Sequence, residues 1–300
     1  MTAQSLERSG NWTSSLQLGR VARGLWNFAK RKPLGGIGLV LILLISILAA
    51  FGPWIAPRDP LEQDAFHRFA HPGWIRGNFL GTDHMGRDVL SRLIVGARSS
   101  FMVAVISVTV GSAIGFFLGL ASGYYGGKTD LFLQRVIDML MAIPVIVLAL
   151  AIVTALGQST INLIIAIAVI QIPQKARVVR SVALTVKESQ YVEASRASGA
   201  SDWRIITRHV APQALAPAII VFTASLGGAI LVESSLSFLG LGTPPPAPSW
   251  GAMLSGPTLA NVERAPWNAV FPGIFLSLTV YSFNLVGDAL RDVLDPRLRR

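Results

Sequence analysis

Residues 126–130 read GGKTD, and Gly127-Lys128-Thr129 is how a phosphate-binding loop ends. Such a loop needs Gly-x-x-x-x-Gly-Lys-Ser/Thr, so that backbone N–H groups cradle the phosphates and the lysine reaches between them. Five positions before Gly127 stands Ser122, and the nearest glycine, Gly123, is one residue too close. The stretch is therefore read as a turn with a charged surface lysine, and no ATP hydrolysis is expected there. His67 and His71 in HRFAHP are four apart and on a helix could share a metal ion. That segment runs into Pro72 and a glycine-containing loop, so two solvated histidines are the expectation. His84 and His209 are isolated. The sequence contains no HExxH, no Gly-x-Ser-x-Gly and no paired carboxylates set in an apolar stretch. The absence of cysteine excludes disulfides and cysteine-based metal or redox chemistry.

Ionisable groups beside apolar runs are more informative, because such groups are costly in a membrane and face protein or water there. Arg135 and Asp138 are three apart and are expected to form an ion pair. Asp288, Arg291 and Asp292 close an apolar run in the same way. Glu233 stands alone in LVESSLSFLGLG, where it either lines a passage or bonds across helices. The charged stretch 174–213 has two helical parts, about 181–198 and 201–211, flanking Gly199. That glycine suits a left-handed residue closing the first helix, and Ser201 or Asp202 can cap the second. Ala194, Ser195, Ala197, Ser198 and Ala200 leave a small-sided surface with one acid, Glu193, a surface suited to a groove on another protein.

The elements that position these groups lie in a bilayer. Of the 300 residues 52% are apolar and 14% charged, and mean hydropathy is +0.54, whereas soluble domains carry about a quarter charged residues. Charge-free stretches at 33–57, 99–127, 139–174, 209–232 and 265–287 are spanning candidates, since a helix needs about 20 apolar residues to cross. The stretch 139–174 is too long for one helix and breaks at GQST (157–160). Six spans are thus expected, near 34–53, 99–122, 134–156, 161–180, 214–238 and 268–289, giving an all-α integral membrane protein. With the N-terminus inside, the inner segments hold 19 of the 26 Lys and Arg. This is the positive-inside bias; it places both termini in the cytoplasm and accounts for the net charge of +10 without nucleic acid. The first apolar run is longer than a signal-peptide core and follows a basic segment, so a retained helix is expected.

Residues 21–32, VARGLWNFAKRK, suit a cationic interfacial helix, with Leu25, Trp26 and Phe28 available to the membrane surface. The loop 54–98 contains LGTDHMGRDVLSRLIVGARSS, read as an amphipathic helix leading into span two. Thr82 or Asp83 would cap it, and Asp88 and Arg92 would pair along its polar side. Span two carries Gly111, Gly115, Gly119 and Gly123, a small-residue stripe that lets another helix approach closely.

Glu193-Ala194-Ser195-x-x-x-Gly199, followed by Pro212, resembles the "EAA" loop of ABC importer permease subunits. Ser195 replaces the third alanine and Ala211 the leucine before the proline. GTDHMGRDVLSRLIVGARSS, SLSFLGLGTPPPAPSWGAML and FNLVGDALRDVLDPRLR extend the resemblance to the second permease of the dipeptide/oligopeptide/nickel branch. All but about the first 30 residues are covered. The resemblance implies a type I ABC importer permease fold in a bacterial or archaeal plasma (inner) membrane. Residues 1–96 would be the tail, first helix and outer loop, 97–290 the transport core and 291–300 a cytoplasmic tail. Implied partners are a homologous second permease in a heterodimer, two ATP-binding subunits that hold ATP and Mg, and an extracytoplasmic solute-binding protein. The chain itself would hold no cofactor. The loop at 188–199 would dock on an ATPase, with Glu193 pairing a basic residue there and Ala194, Ser195, Arg196, Gly199 and Asp202 completing the coupling element. Peptides are the expected cargo, with nickel, glutathione or opines as alternatives. An intramembrane enzyme would need convergent catalytic groups, and a channel or secondary transporter would need its own gating or ion-coupling groups.

Overall fold

The computed structural model describes residues 30, 32–73 and 77–294. The proposed interfacial helix at 21–32 lies outside the described residues apart from two of its positions. All named elements are helical. Among the described residues five helices are long and apolar enough to cross a membrane, and one bent pair makes a sixth span if counted as one.

Helix α1 (Pro33–Ile55) starts with proline at its first position, where the missing N–H costs nothing. It packs closely through glycine. A Cβ on Gly38 would stand 2.8 Å from the Ser282 carbonyl, and one on Gly52 would stand 2.9 Å from that of Ile94. The outer loop then folds back on itself. Thr82 takes an N–H from Ala70 at 2.8 Å and donates to the His67 carbonyl at 2.5 Å.

Helix α2 (Val89–Tyr125) fuses the expected lead-in helix and span two into one element. At 1.5 Å per residue its 37 residues reach about 55 Å, well beyond the bilayer core. No proline interrupts this run, so nothing stops the amphipathic turns from continuing into the apolar ones. Its cap is Asp88, whose carboxylate accepts from Ser91 N at 2.8 Å, rather than Thr82 or Asp83. Asp83 instead accepts from Met85 N and Arg87 N in the preceding turn and pairs with Arg87 (2.7 Å) and Arg92 (3.7 Å). The expected Asp88–Arg92 pair is thereby replaced.

The expected third span is broken. Helices α3 (Gly127–Ala142) and α4 (Val145–Leu156) meet at 95°. Pro144 supplies the reason: it lacks an N–H and drives Ile143 into extended backbone, φ −94° and ψ 132°. Gly157, with φ +87°, turns the chain into α5 (Thr160–Lys187), which Ser159 caps through Asn162 N at 3.0 Å. The expected helix 181–198 is likewise divided at Glu188 and Ser189, so α5 ends at Lys187 and α6 covers Gln190–Ala197.

Gly199 separates α6 from α7 (Asp202–Ile205). A wide π-turn at Ile206–Val210 carries α7 without a break into α8 (Ala211–Phe238). Pro212 has no N–H for the fourth preceding carbonyl, and the chain accommodates it by bonding Ala211 N to Ile206 O, five residues back. After α8 come two short helices, α9 (Trp250–Met253) and α10 (Pro257–Ala260), and then α11 (Trp267–Leu294). Trp250 is fully buried and donates its indole N–H to the Leu93 carbonyl at 3.0 Å.

Two apolar clusters divide the molecule. The larger joins α2, α4, α5, α8 and α11 with Trp250. The smaller brings together Leu120, Tyr124, Val179, Ala183, Val192, Ile205 and Val210 beneath the charged loop.

Candidate functional site

The glycine stripe faces α5. A Cβ on Gly115 would lie 2.7 Å from the Ile172 carbonyl, one on Gly119 2.5 Å from that of Ala176, and one on Gly123 2.6 Å from Ala183 Cβ; Gly111 meets the Ala168 carbonyl still more closely. Real Cβ atoms do not approach within these distances, so the α2–α5 crossing exists only because these positions lack side chains. One consequence is a buried cation. Lys175 is 1% exposed, and its ammonium donates to Gln171 Oε1 at 2.5 Å and Ser225 Oγ at 2.6 Å, joining α5 to α8.

Beside this crossing the smaller cluster anchors the segment 190–205. Val192 is the buried residue of α6. Around it Glu193, Ala194, Arg196, Ala197 and Ser198 are exposed and Ser195 is half-buried. The exposed face of α6 therefore carries Glu193, Arg196 and Tyr191 among the short side chains of Ala194, Ser195 and Ala197, while Val192 pins the helix from below. Gly199 has φ +81°, and a Cβ there would meet no neighbour, so the backbone angle alone requires glycine. Asp202 is exposed, and its carboxylate accepts from the Tyr124 hydroxyl at 2.6 Å.

Several ion pairs fasten the neighbouring helix ends, and they were not evident from spacing. Asp138 pairs with Arg177 at 2.6 Å, a long-range contact that replaces the expected Arg135–Asp138 pair. The 95° bend at Pro144 turns α3 so that Asp138 meets α5 instead. Asp130, in the GGKTD turn, takes both prongs of Arg180 at 2.6 Å each. Asp292 pairs with Lys32 at 2.6 Å, joining α11 to the start of α1. The one signal available in the sequence was the pair Arg177 and Arg180 on the C-terminal half of α5, two cations that take acids from α3.

Glu233 is fully buried. Its carboxylate accepts from Ser237 at 2.8 Å and Ser234 at 3.3 Å, both on its own helix. In this conformation its hydrogen bonds stay within α8 and it touches no open space. A cavity of about 590 Å³ lies between α5, the N-terminal part of α8 and the C-terminal part of α11, where Gln174, Gln213, Asp288 and Arg291 provide its polar lining.

In the outer loop His67 and His71 go to separate partners. His67 meets Asp64 at 2.5 Å, and that bond holds the Asp64 carboxyl below its ordinary value. His71 stacks on Trp267 with ring centres 4.7 Å apart. Burial pushes the His84 imidazole below its usual value. Among the described residues no three His, Asp or Glu gather as metal ligands do.

Residues 111–300 match the family described as "Binding-protein-dependent transport system inner membrane component". Residues 23–72 match the "N-terminal TM domain of oligopeptide transport permease C". The chain is 42% identical over 277 residues to the di/tripeptide transport system permease protein DppC of Pseudomonas aeruginosa, covering 91% of each chain. It is 39% identical over 270 residues to the dipeptide transport system permease protein DppC of Alkalihalophilus pseudofirmus, covering 90% of this chain and 88% of that one. To the glutathione transport system permease protein GsiD of an Escherichia coli strain (O6:K15:H31) it is 41% identical over 274 residues, covering 91% and 90%. A solved inward-facing MetNI methionine ABC transporter superposes with a TM-score of 0.54 at 19% identity, covering 68% of this chain and 96% of that one, a likeness of fold.

Proposed function

Because the chain belongs to the family of binding-protein-dependent transport system inner membrane components, we propose that it is the permease subunit of an ATP-driven ABC importer of peptides. It is a multi-pass inner-membrane protein that makes and breaks no covalent bonds. The observation that carries the coupling role is α6, a helix pinned through Val192 that turns Glu193 and short side chains outward. Separate partner ATPases, which bind ATP and Mg, dock on that face. A homologous second permease completes the pathway, and an extracytoplasmic binding protein delivers the solute. Residues 1–96 form the added N-terminal element, 97–290 the transport core and 291–300 the inner tail.

The mechanism needs only two packings of the same helices. ATPase closure pushes α6, and α6 moves with the inner ends of α5 and α8. Inward-open and outward-open arrangements differ by about a few kcal/mol, and nucleotide shifts their populations. The cavity of about 590 Å³ at the inner ends of α5, α8 and α11 is this chain's share of the inward mouth. Peptide as cargo is supported by the di/tripeptide and dipeptide permeases among the relatives. A glutathione permease at similar identity keeps a second peptide-like solute in view. The test is uptake of a labelled dipeptide in cells lacking their own peptide importers and expressing the whole system. Competition by unlabelled di- and tripeptides supports the proposal; competition by glutathione alone would assign the cargo to the second reading.

The proposed topology has six spans and both termini inside, counting α3 and α4 as one broken span. The chain has no cysteine, so single cysteines at Thr13 and Ser255 can be labelled cleanly. In intact cells an impermeant maleimide is expected to reach Ser255→Cys and not Thr13→Cys. Labelling of both from one side would overturn the topology.

A further inference from the structure

Tyr124 ends the glycine-striped helix, and its two parts face different surroundings. The residue is 7% exposed and its ring lies in the smaller apolar cluster with Leu120, Val179, Val192 and Ile205. Its hydroxyl donates to Asp202 Oδ1 at 2.6 Å. Asp202 opens α7, three residues past Gly199. One phenol therefore joins α2 to the start of the helix that follows Gly199. Immediately beside it, Ser122 of α2 donates to Asp130 at 2.5 Å, and Asp130 holds Arg180 of α5. The end of α2 is thus bonded to α3 and α5 at the place where Tyr124 reaches the loop.

Apolar contact resists separation but fixes register poorly, whereas a hydrogen bond to a charged acceptor is directional and about twice as strong as a neutral one. Phenylalanine would fill the same apolar space, so packing does not call for the hydroxyl. Without it, the segment from α6 to α7 would rest on the core mainly through Val192 and Ile205, with the Gly199 hinge between them. We propose that Tyr124 is a positioning residue for coupling: its hydroxyl locks the start of α7, just past Gly199, to the α2–α5 pair. A push on α6 then moves membrane helices instead of being absorbed at Gly199. This inference rests on the reading of α6 as the ATPase-docking helix. It assigns Asp202 an internal task, as the acceptor that holds the lock.

The test uses the complete reconstituted importer. Tyr124→Phe is expected to retain its ATPase subunits and its unstimulated ATP hydrolysis, while solute transported per ATP hydrolysed falls about fivefold or more. Asp202→Ala should lower the same ratio, and the double variant should be no worse than the poorer single one, since both remove one bond. A wild-type ratio in Tyr124→Phe, loss of the ATPase subunits in that variant, or additive losses in the double variant would each overturn the proposal. Glu193→Lys separates the two levels. Normal coupling in Tyr124→Phe with none in Glu193→Lys defeats the lock alone, whereas normal coupling in Glu193→Lys defeats the docking reading beneath it.

Discussion

Replacing Glu193 by lysine is expected to abolish solute transport while leaving the chain inserted in the membrane. Glu193 is exposed on α6, so the substitution disturbs no buried packing in this chain. It places a positive charge where the proposed ATPase groove presents a basic residue, and an attraction becomes a repulsion. Gly199→Val should reach the same end by another route. At φ +81° a β-branched residue costs on the order of 1–2 kcal/mol, and relief of that strain would re-aim α6. For both variants, ATP hydrolysis stimulated by the loaded binding protein should fall to the unstimulated rate, and fewer ATPase subunits should be recovered with the permease. Wild-type stimulation in both would reduce the loop to a solvated hairpin.

Gly115→Leu is expected to prevent assembly of the complex. Even the first added carbon would sit 2.7 Å from the Ile172 carbonyl and 2.8 Å from Lys175 Cβ. Both obstacles are held rigidly, one by the backbone and the other by a lysine clasped between α5 and α8. Overpacking of this kind costs about 1–3 kcal/mol when neighbours can shift, and here the whole α2–α5 crossing would have to open. Gly228, whose added Cβ would meet no neighbour, is the matched control, and Gly228→Leu should assemble. Yield and size-exclusion behaviour of the purified complex decide the matter; normal assembly of Gly115→Leu would mean that α2 and α5 do not pack in this way.

What could be read directly from the sequence was whatever local chemistry dictates. The apolar runs, the turn at GQST and the glycines every fourth residue on span two each specify backbone behaviour within a few positions. Partner choice is different, because it depends on where a bend sends the chain. Asp138 has Arg135 one turn away and still pairs with Arg177, since Pro144 redirects α3. That break was itself legible, as Ile143-Pro144 is a helix terminator, but the surrounding hydrophobic run masked it. The π-turn before Pro212 also follows from a missing N–H, yet whether a chain stops or widens there depends on the cluster around Val210. Tyr124 and Asp202 are 78 residues apart, and no spacing rule connects them. The inner-loop motif pointed to α6 by resemblance; its shape, one buried valine under an exposed small-sided face, came from the fold.

The most direct test of the account is uptake of a labelled dipeptide into proteoliposomes holding this chain, its second permease and the two ATPase subunits, with binding protein outside and ATP inside. Uptake is expected only when ATP, the ATPase subunits and the binding protein are all present, and it should disappear with Glu193→Lys. Uptake that persists without ATP or without the ATPase subunits, or that follows an imposed ion gradient instead, would contradict the account.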